Sequence, residues 1–186
     1  MPKIVDHQQR RQEIARQAVD IFLQYGYKNL GMRQLCGHLG MSKSAVYHYF
    51  TSKDALFRAA TEAVVSADIA TLTDRPTVDE ASPDEKVDNF IAIFEQMAPR
   101  YFQEMKLVSD YIEVIGQQQV SQDPCMKLAN QKYQDLLAKY VCDRQHKALY
   151  SLLLGLLNHQ LMLGEPLAHA YLTAQVSLQL SQNQVS

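Results

Sequence analysis

Residues 35–50 read LCGHLGMSKSAVYHYF, and the architecture can be worked out from their spacing. Leu35, Leu39, Met41, Val46 and Phe50 fall on the inner sides of two short helices, one over about Met32–Leu39 and one beginning after Ser42. Small Cys36 stands where those helices must cross closely, and Gly40 lies in the tight turn between them. Ser42 can cap the second helix through its hydroxyl. Lys43, Ser44, Tyr47 and His48 are left facing outward, with Tyr49 close by. This is helix-turn-helix spacing, in which the second helix can lie in a major groove with its first residues at base edges. The Lys43 ammonium can reach guanine or phosphate, and the Ser44 hydroxyl can donate or accept. The Tyr47 ring suits the sugar-phosphate chain, with its hydroxyl donating to a phosphate, and Lys53 is placed to act as a second phosphate clamp.

Upstream, Ile14, Ala18, Ile21, Phe22 and Tyr25 form one face of a helix over about Gln9–Tyr25, which Gly26 can end in a left-handed conformation. A fourth helix begins after Thr51 or Ser52, with Asp54 in its favourable first turn. Charge follows this division. Residues 1–60 carry nine basic and four acidic side chains, a net +5, while the rest of the chain is −7. A basic end on an acidic body implies a polyanionic partner for that end alone.

The 186 residues, 47% apolar and 20% charged, have an ordinary globular composition. Few and widely spaced glycines and prolines favour long helices over a sheet of short strands. Thr71 to Pro83 reads as a linker. Ser82-Pro83-Asp84-Glu85 then announces a new helix through a capping box with proline at its first position. Val87, Phe90, Ile91, Phe94 and Met97 make its apolar stripe. Pro99 either ends or kinks it, and Tyr101, Met105, Val108, Ile112 and Ile115 continue with helical spacing. Asp123-Pro124 starts another helix, with Leu128, Leu136, Leu137, Tyr140 and Val141 inward.

From Ala148 to Ser186 the only charged residue is Glu165. Around Ala148–Leu163 apolar side chains cover about 200° of the helix, wider than the stripe one core needs. Leu149, Leu152 and Leu156 read as one side, and Tyr150, Leu153, Leu154, Leu157 and Leu161 as the other. The final helix presents Leu167, Ala170, Tyr171, Ala174 and Leu178 on one face. The plain reading of the surplus is a helix buried in a large monomer; the favoured one is a symmetric dimer in which the last two helices of each copy form a four-helix bundle. The expected interface is Leu153, Leu154, Leu157, Leu161, Leu167, Ala170, Tyr171, Ala174 and Leu178.

Cys36, Cys125 and Cys142 are too few for a disulfide framework, and Cys36 reads as core. The polar start from Met1 to Arg11 has no apolar signal-peptide core, and the uncharged stretch 148–164 is too short and too polar to span a lipid bilayer. A cytoplasmic protein is expected. Cys142 and His146 share a helix face but supply only two metal ligands. His159 and His169 read as hydrogen-bonded residues near the interface. No nucleophile set, phosphate-cradling loop or metal cluster points to an enzyme or to a cofactor.

Residues 10–60 are similar to the TetR family of bacterial transcriptional regulators. The resemblance rests on Ala18 and Phe22 before Gly26-Tyr27, on Arg33 and Leu35, on Gly40-Met41-Ser42-Lys43-Ser44, on Tyr47-His48-Tyr49-Phe50, and on Ser52-Lys53-Asp54-Ala55-Leu56. It implies an all-α fold of about nine helices: a three-helix helix-turn-helix DNA-binding domain over 1–53, then a helical effector-binding and dimerisation domain over 54–186. By position, Arg33 matches a base-contacting residue, Lys43 and Ser44 match recognition-helix positions facing bases, and Tyr47, Tyr49 and Lys53 match positions that hold the backbone. With Ser42 and His48 they make up the expected DNA-contacting set. Leu30-Gly31 stands where the family usually has Thr or Ser before the second helix, Ser44 where Gly is common, and Cys36 where Ala is common.

The resemblance further implies a homodimer on a double-stranded, near-palindromic operator, acting most often as a repressor. A small effector would release it by displacing the fourth helix. The candidate pocket residues are Phe90, Phe94, Met97, Tyr101, Met105, Tyr111, Tyr133 and Tyr140, a set suited to a hydrophobic or aromatic molecule. The alternative is a DNA-bound adaptor whose C-terminal domain recruits a protein instead.

Overall fold

The computed structural model describes residues 7–182. The polar start before His7, with Lys3 and Asp6 of the charge count, lies outside the described residues. So does the end of the chain beyond Gln182. Among the described residues there are nine α-helices and no strand. They are α1 (His7–Tyr25), α2 (Met32–His38), α3 (Lys43–Tyr49), α4 (Lys53–Ala70), α5 (Pro83–Met97), α6 (Tyr101–Ile115), α7 (Pro124–Tyr140), α8 (His146–Leu163) and α9 (His169–Ser181). None is long and apolar enough to cross a membrane. The chain packs as two compact units. One comprises the residues up to Ala67 together with Gln103–Ala129, and the other Asp68–Phe102 together with the residues from Asn130 on.

In the first unit, Ile14, Ala18 and Phe22 of α1 pack with Leu35 and Cys36 of α2, Val46 of α3 and Phe50 at its C-cap, Leu56 and Phe57 of α4, and Tyr111 of α6. Tyr25 departs from the expected stripe: it is 44% exposed, its ring stacked on that of His38. The cause is Gly26, whose φ of +76° turns the chain so that Tyr27 takes the inward place. On α6, Tyr111 is buried and Leu107 and Ile115 pack on this core, while Met105, Val108 and Ile112 are half-buried. Its inner face is thus centred on the 107/111/115 row.

In the second unit, α5 opens with the expected capping box. The Ser82 hydroxyl accepts the Glu85 N–H at 3.3 Å, and the Glu85 carboxylate accepts the Ser82 N–H at 2.8 Å. The segment expected as a linker is pinned down. Leu72 is buried, and the buried Asn89 amide donates to the Pro76 and Tyr140 carbonyls at 3.0 and 2.9 Å. One distant asparagine supplies the partners that the polar composition concealed. Pro99 lies in the short turn between α5 and α6. Ala98–Arg100 forms a single 3₁₀ turn with helical backbone on both sides, which accommodates the missing N–H between α5 and α6. Asp68, at the end of α4, is buried. It pairs with Arg100 and accepts from the Tyr133 hydroxyl at 2.8 Å and the Gln96 amide at 3.0 Å.

The two sides assigned to α8 need correction. Leu153 and Leu157 are buried beside Leu149 and Leu156, because the inner face runs along 149/153/156/157. Their side chains have no surface left for a second copy. Leu152, Leu154 and Leu161 are half-buried, and Met162 and Leu163 are exposed. On α9, Leu172 and Val176 face inward. Ala170, Tyr171, Ala174 and Leu178 are exposed and Leu167 is half-buried.

Candidate nucleic-acid interface

The turn between α2 and α3 is built by local geometry. Gly40 has φ +64°, a conformation that a Cβ disfavours, and the Met41 N–H bonds back to the Cys36 carbonyl at 3.0 Å. Ser42 then caps α3, its hydroxyl accepting the Ala45 N–H at 3.2 Å. The same hydroxyl lies 3.1 Å from that of Ser44. Val46 and, at the C-cap, Phe50 are fully buried, which fixes the rotation of the helix about its axis. Lys43, Ser44, Tyr47 and His48 are exposed as a consequence. The Lys43 ammonium lies 5.5 Å from the Tyr47 ring centroid, so cation and aromatic share one outward strip. Arg33, in the first turn of α2, is exposed. Gly31 is the N-cap of that helix, and its N–H is satisfied by the Gln34 side chain at 2.9 Å.

Tyr49 is half-buried, with its ring 4.7 Å from that of His7 on α1; His48 is close to both. Tyr49 therefore contributes to the joint between α1 and α3. Lys53 differs from the phosphate clamp expected of it. Its ammonium donates to the Tyr27 carbonyl at 2.9 Å and lies 4.0 Å from the centre of the Tyr27 ring. Burial pushes its pKa down, and the Asp110 carboxylate opposes that shift. The lysine is turned inward because the start of α4 packs on the loop after α1.

That loop is held by residues the sequence reading missed. One carboxylate oxygen of Asp110, on α6, accepts both the Tyr27 and the Lys28 N–H. Glu113, one turn on, pairs with the Lys28 ammonium at 2.9 Å. The Tyr27 hydroxyl donates to Asp54. Tyr111, expected in an effector pocket, packs on the rings of Tyr27 and Phe57 and donates to Asp123 at 2.9 Å. Burial and the Asp123 carboxylate both raise its pKa. No local signal marks Asp110 and Glu113, since their partners Tyr27 and Lys28 lie about eighty positions away in the chain.

The remaining pocket candidates divide. Met105 belongs to the first unit with Tyr111. Phe90, Phe94, Met97, Tyr133 and Tyr140 are buried in the second unit. Tyr101 lines a cavity of about 260 Å³ in that unit, with Ala98, Phe102, Leu157, Gln160, Leu161, Gly164, Glu165 and Pro166.

Residues 14–60 match the family model described as bacterial regulatory proteins, tetR family. Among curated proteins, the HTH-type transcriptional regulator PksA of Bacillus subtilis (strain 168) is 32% identical over 102 residues, 53% of this chain and 46% of that protein. The HTH-type transcriptional repressor Rv1474c of Mycobacterium tuberculosis (strain ATCC 25618 / H37Rv) is 44% identical over 61 residues, 32% of this chain and 33% of that one. The chain thus spans less than half the length of these relatives. Among solved structures, the multidrug binding protein EbrR complexed with imidazole is similar in fold, with a TM-score of 0.66 at 18% identity over 92% of this chain and 89% of that chain.

Proposed function

Taking residues 14–60 as a DNA-binding module of the TetR family, we propose that the chain is a ligand-responsive transcriptional regulator that represses from a near-palindromic operator as a dimer. The observation that carries this reading is the outward strip of Arg33, Lys43, Ser44, Tyr47 and His48, exposed on two helices whose opposite faces are buried. Ser42 completes the strip at the cap. Tyr49 and Lys53 serve it from behind by fixing helix positions. In this reading residues 1–53 bind DNA, and 54–186 take the effector and the second copy. The repressor sign is supported by the name of the Mycobacterium relative. Release by a small molecule is supported by the fold shared with a multidrug binding protein. The effector must bind the released state more tightly than the DNA-bound one.

A salt series on a short DNA duplex, read by fluorescence anisotropy, tests the interface. Binding should weaken steeply with salt, and Lys43→Ala should lower the slope by about 1 per module. Binding that ignores salt, or an unchanged slope in the variant, would remove this strip from the interface.

A further inference from the structure

The outward strip has a neighbour on α1 that no role described so far involves. On α3, Lys43 and Tyr47 stand four apart in one row, and Ser44 and His48 stand four apart in the row beside it. His7, the first residue of α1, comes up against that second row. Its ring centroid lies 5.3 Å from that of His48, edge to face, and 4.7 Å from that of the half-buried Tyr49. The Tyr49 ring is in turn 5.0 Å from His48. Both histidines are exposed. Two imidazoles from different helices thus meet at the edge of the surface read above as DNA-facing.

The charged and titratable groups around the pair are few. On α3, Tyr47 and Tyr49 flank His48, and the Lys43 ammonium lies in the other row, 5.5 Å from the centre of the Tyr47 ring. On α1, Arg10 pairs with Glu13 at 2.9 Å, and the Arg11 guanidinium lies 4.6 Å from the centre of the Phe50 ring. Among the described residues no carboxylate bonds to either imidazole. Histidine is the side chain whose ordinary charge change falls between about pH 5 and 8. Two imidazolium ions this close repel each other, and a phosphate between or beside them offsets that repulsion. We infer that His7 is a further DNA-contacting residue, and that with His48 it forms a phosphate site which takes up protons on binding. Phosphate favours the charged form, so by reciprocity the charged form binds DNA more tightly. The gain is present on the acid side of the histidine range and lost as pH rises through it. The inference rests on the DNA-binding reading above and adds to it a third helix and a response to proton concentration.

The test measures binding of the full chain to the short DNA duplex of the salt series, at constant ionic strength, from about pH 8 down to about pH 6. Kd should fall about tenfold or more over that range, while helix content stays constant. His7→Gln should lose about half of this response on a logarithmic scale, and the double variant with His48→Gln nearly all of it. His38→Gln changes a ring that stacks on Tyr25 at the other end of α1, and should keep the full response. His7→Lys places a fixed cation at the site and should bind more tightly than His7→Gln at about pH 8.

Salt-dependent binding by the wild type that does not respond to pH leaves the DNA-binding strip standing and overturns this site. So does a His7→Gln protein with the full wild-type response, or a His7→Lys protein that binds no more tightly than His7→Gln. A response that tracks loss of helix content, or that disappears with His38→Gln, overturns it as well. Absence of DNA binding at every pH is a different failure: it removes the strip itself, and this site with it.

Discussion

Gly26 answers to two constraints at once. Its φ is +76°, and a Cβ there would lie 2.9 Å from the Asp110 carboxylate oxygen that holds the next two N–H groups. Gly26→Ala should therefore destabilise the protein by about 1–3 kcal/mol, measured by chemical denaturation; an unchanged midpoint would show that the loop relaxes freely. Because a single oxygen accepts both N–H groups, Asp110→Asn should be milder than Asp110→Ala. Tyr47 lies at the opposite extreme. It is 40% exposed and outside the core, so Tyr47→Ala should change stability by no more than about 0.5 kcal/mol while DNA binding collapses. A Tyr47→Ala protein that binds DNA normally would exclude this ring from the contact. Lys53→Ala should cost about 1 kcal/mol through the lost bond to Tyr27 and leave the salt slope unchanged, in contrast to Lys43→Ala.

At the scale of elements, what the sequence reveals depends on how far apart the partners lie. The α2–turn–α3 segment is readable because Gly40, Ser42, Val46 and Phe50 act on one another within a few positions, and the α5 start because Ser82 and Glu85 close a three-residue box. The Asp110 clamp, the buried Asp68 with Arg100 and Tyr133, and the Asn89 bonds to the 71–82 segment all join distant positions, and periodicity carries no trace of them. Along α8, periodicity identified an apolar surplus but placed its inner face off by part of a turn, since leucines occupy nearly every direction. The capping box yields a pH prediction. Bonds from the Ser82 backbone and hydroxyl hold the Glu85 carboxyl below its usual pKa. Its contribution is therefore complete above the ordinary carboxylate range and lost as pH falls through the lowered value. Glu85→Gln should flatten the acid side of the stability–pH profile; an identical profile would show that the box is not formed in solution.

For the whole molecule, the apolar side chains of Met162, Leu163, Tyr171 and Leu178 on α8 and α9 are exposed, and the proposed dimer would cover them. Paired Tyr171→Asp and Leu178→Asp substitutions should yield a folded monomer by sedimentation, with weakened operator binding. Leu153→Ala, at a residue with no exposed surface, should instead cost about 2–5 kcal/mol of stability and leave the association state unchanged. A monomeric wild-type particle would contradict the dimer. The most direct test of the central claim, that the Lys43–His48 strip reads DNA in duplicate, is selection of binding sequences from a random duplex library. A near-palindrome with half-sites about 34 Å apart or a multiple of that should be enriched, and the enrichment should be lost on Tyr47→Ala. An unenriched pool, or the same motif recovered with the variant, would contradict it.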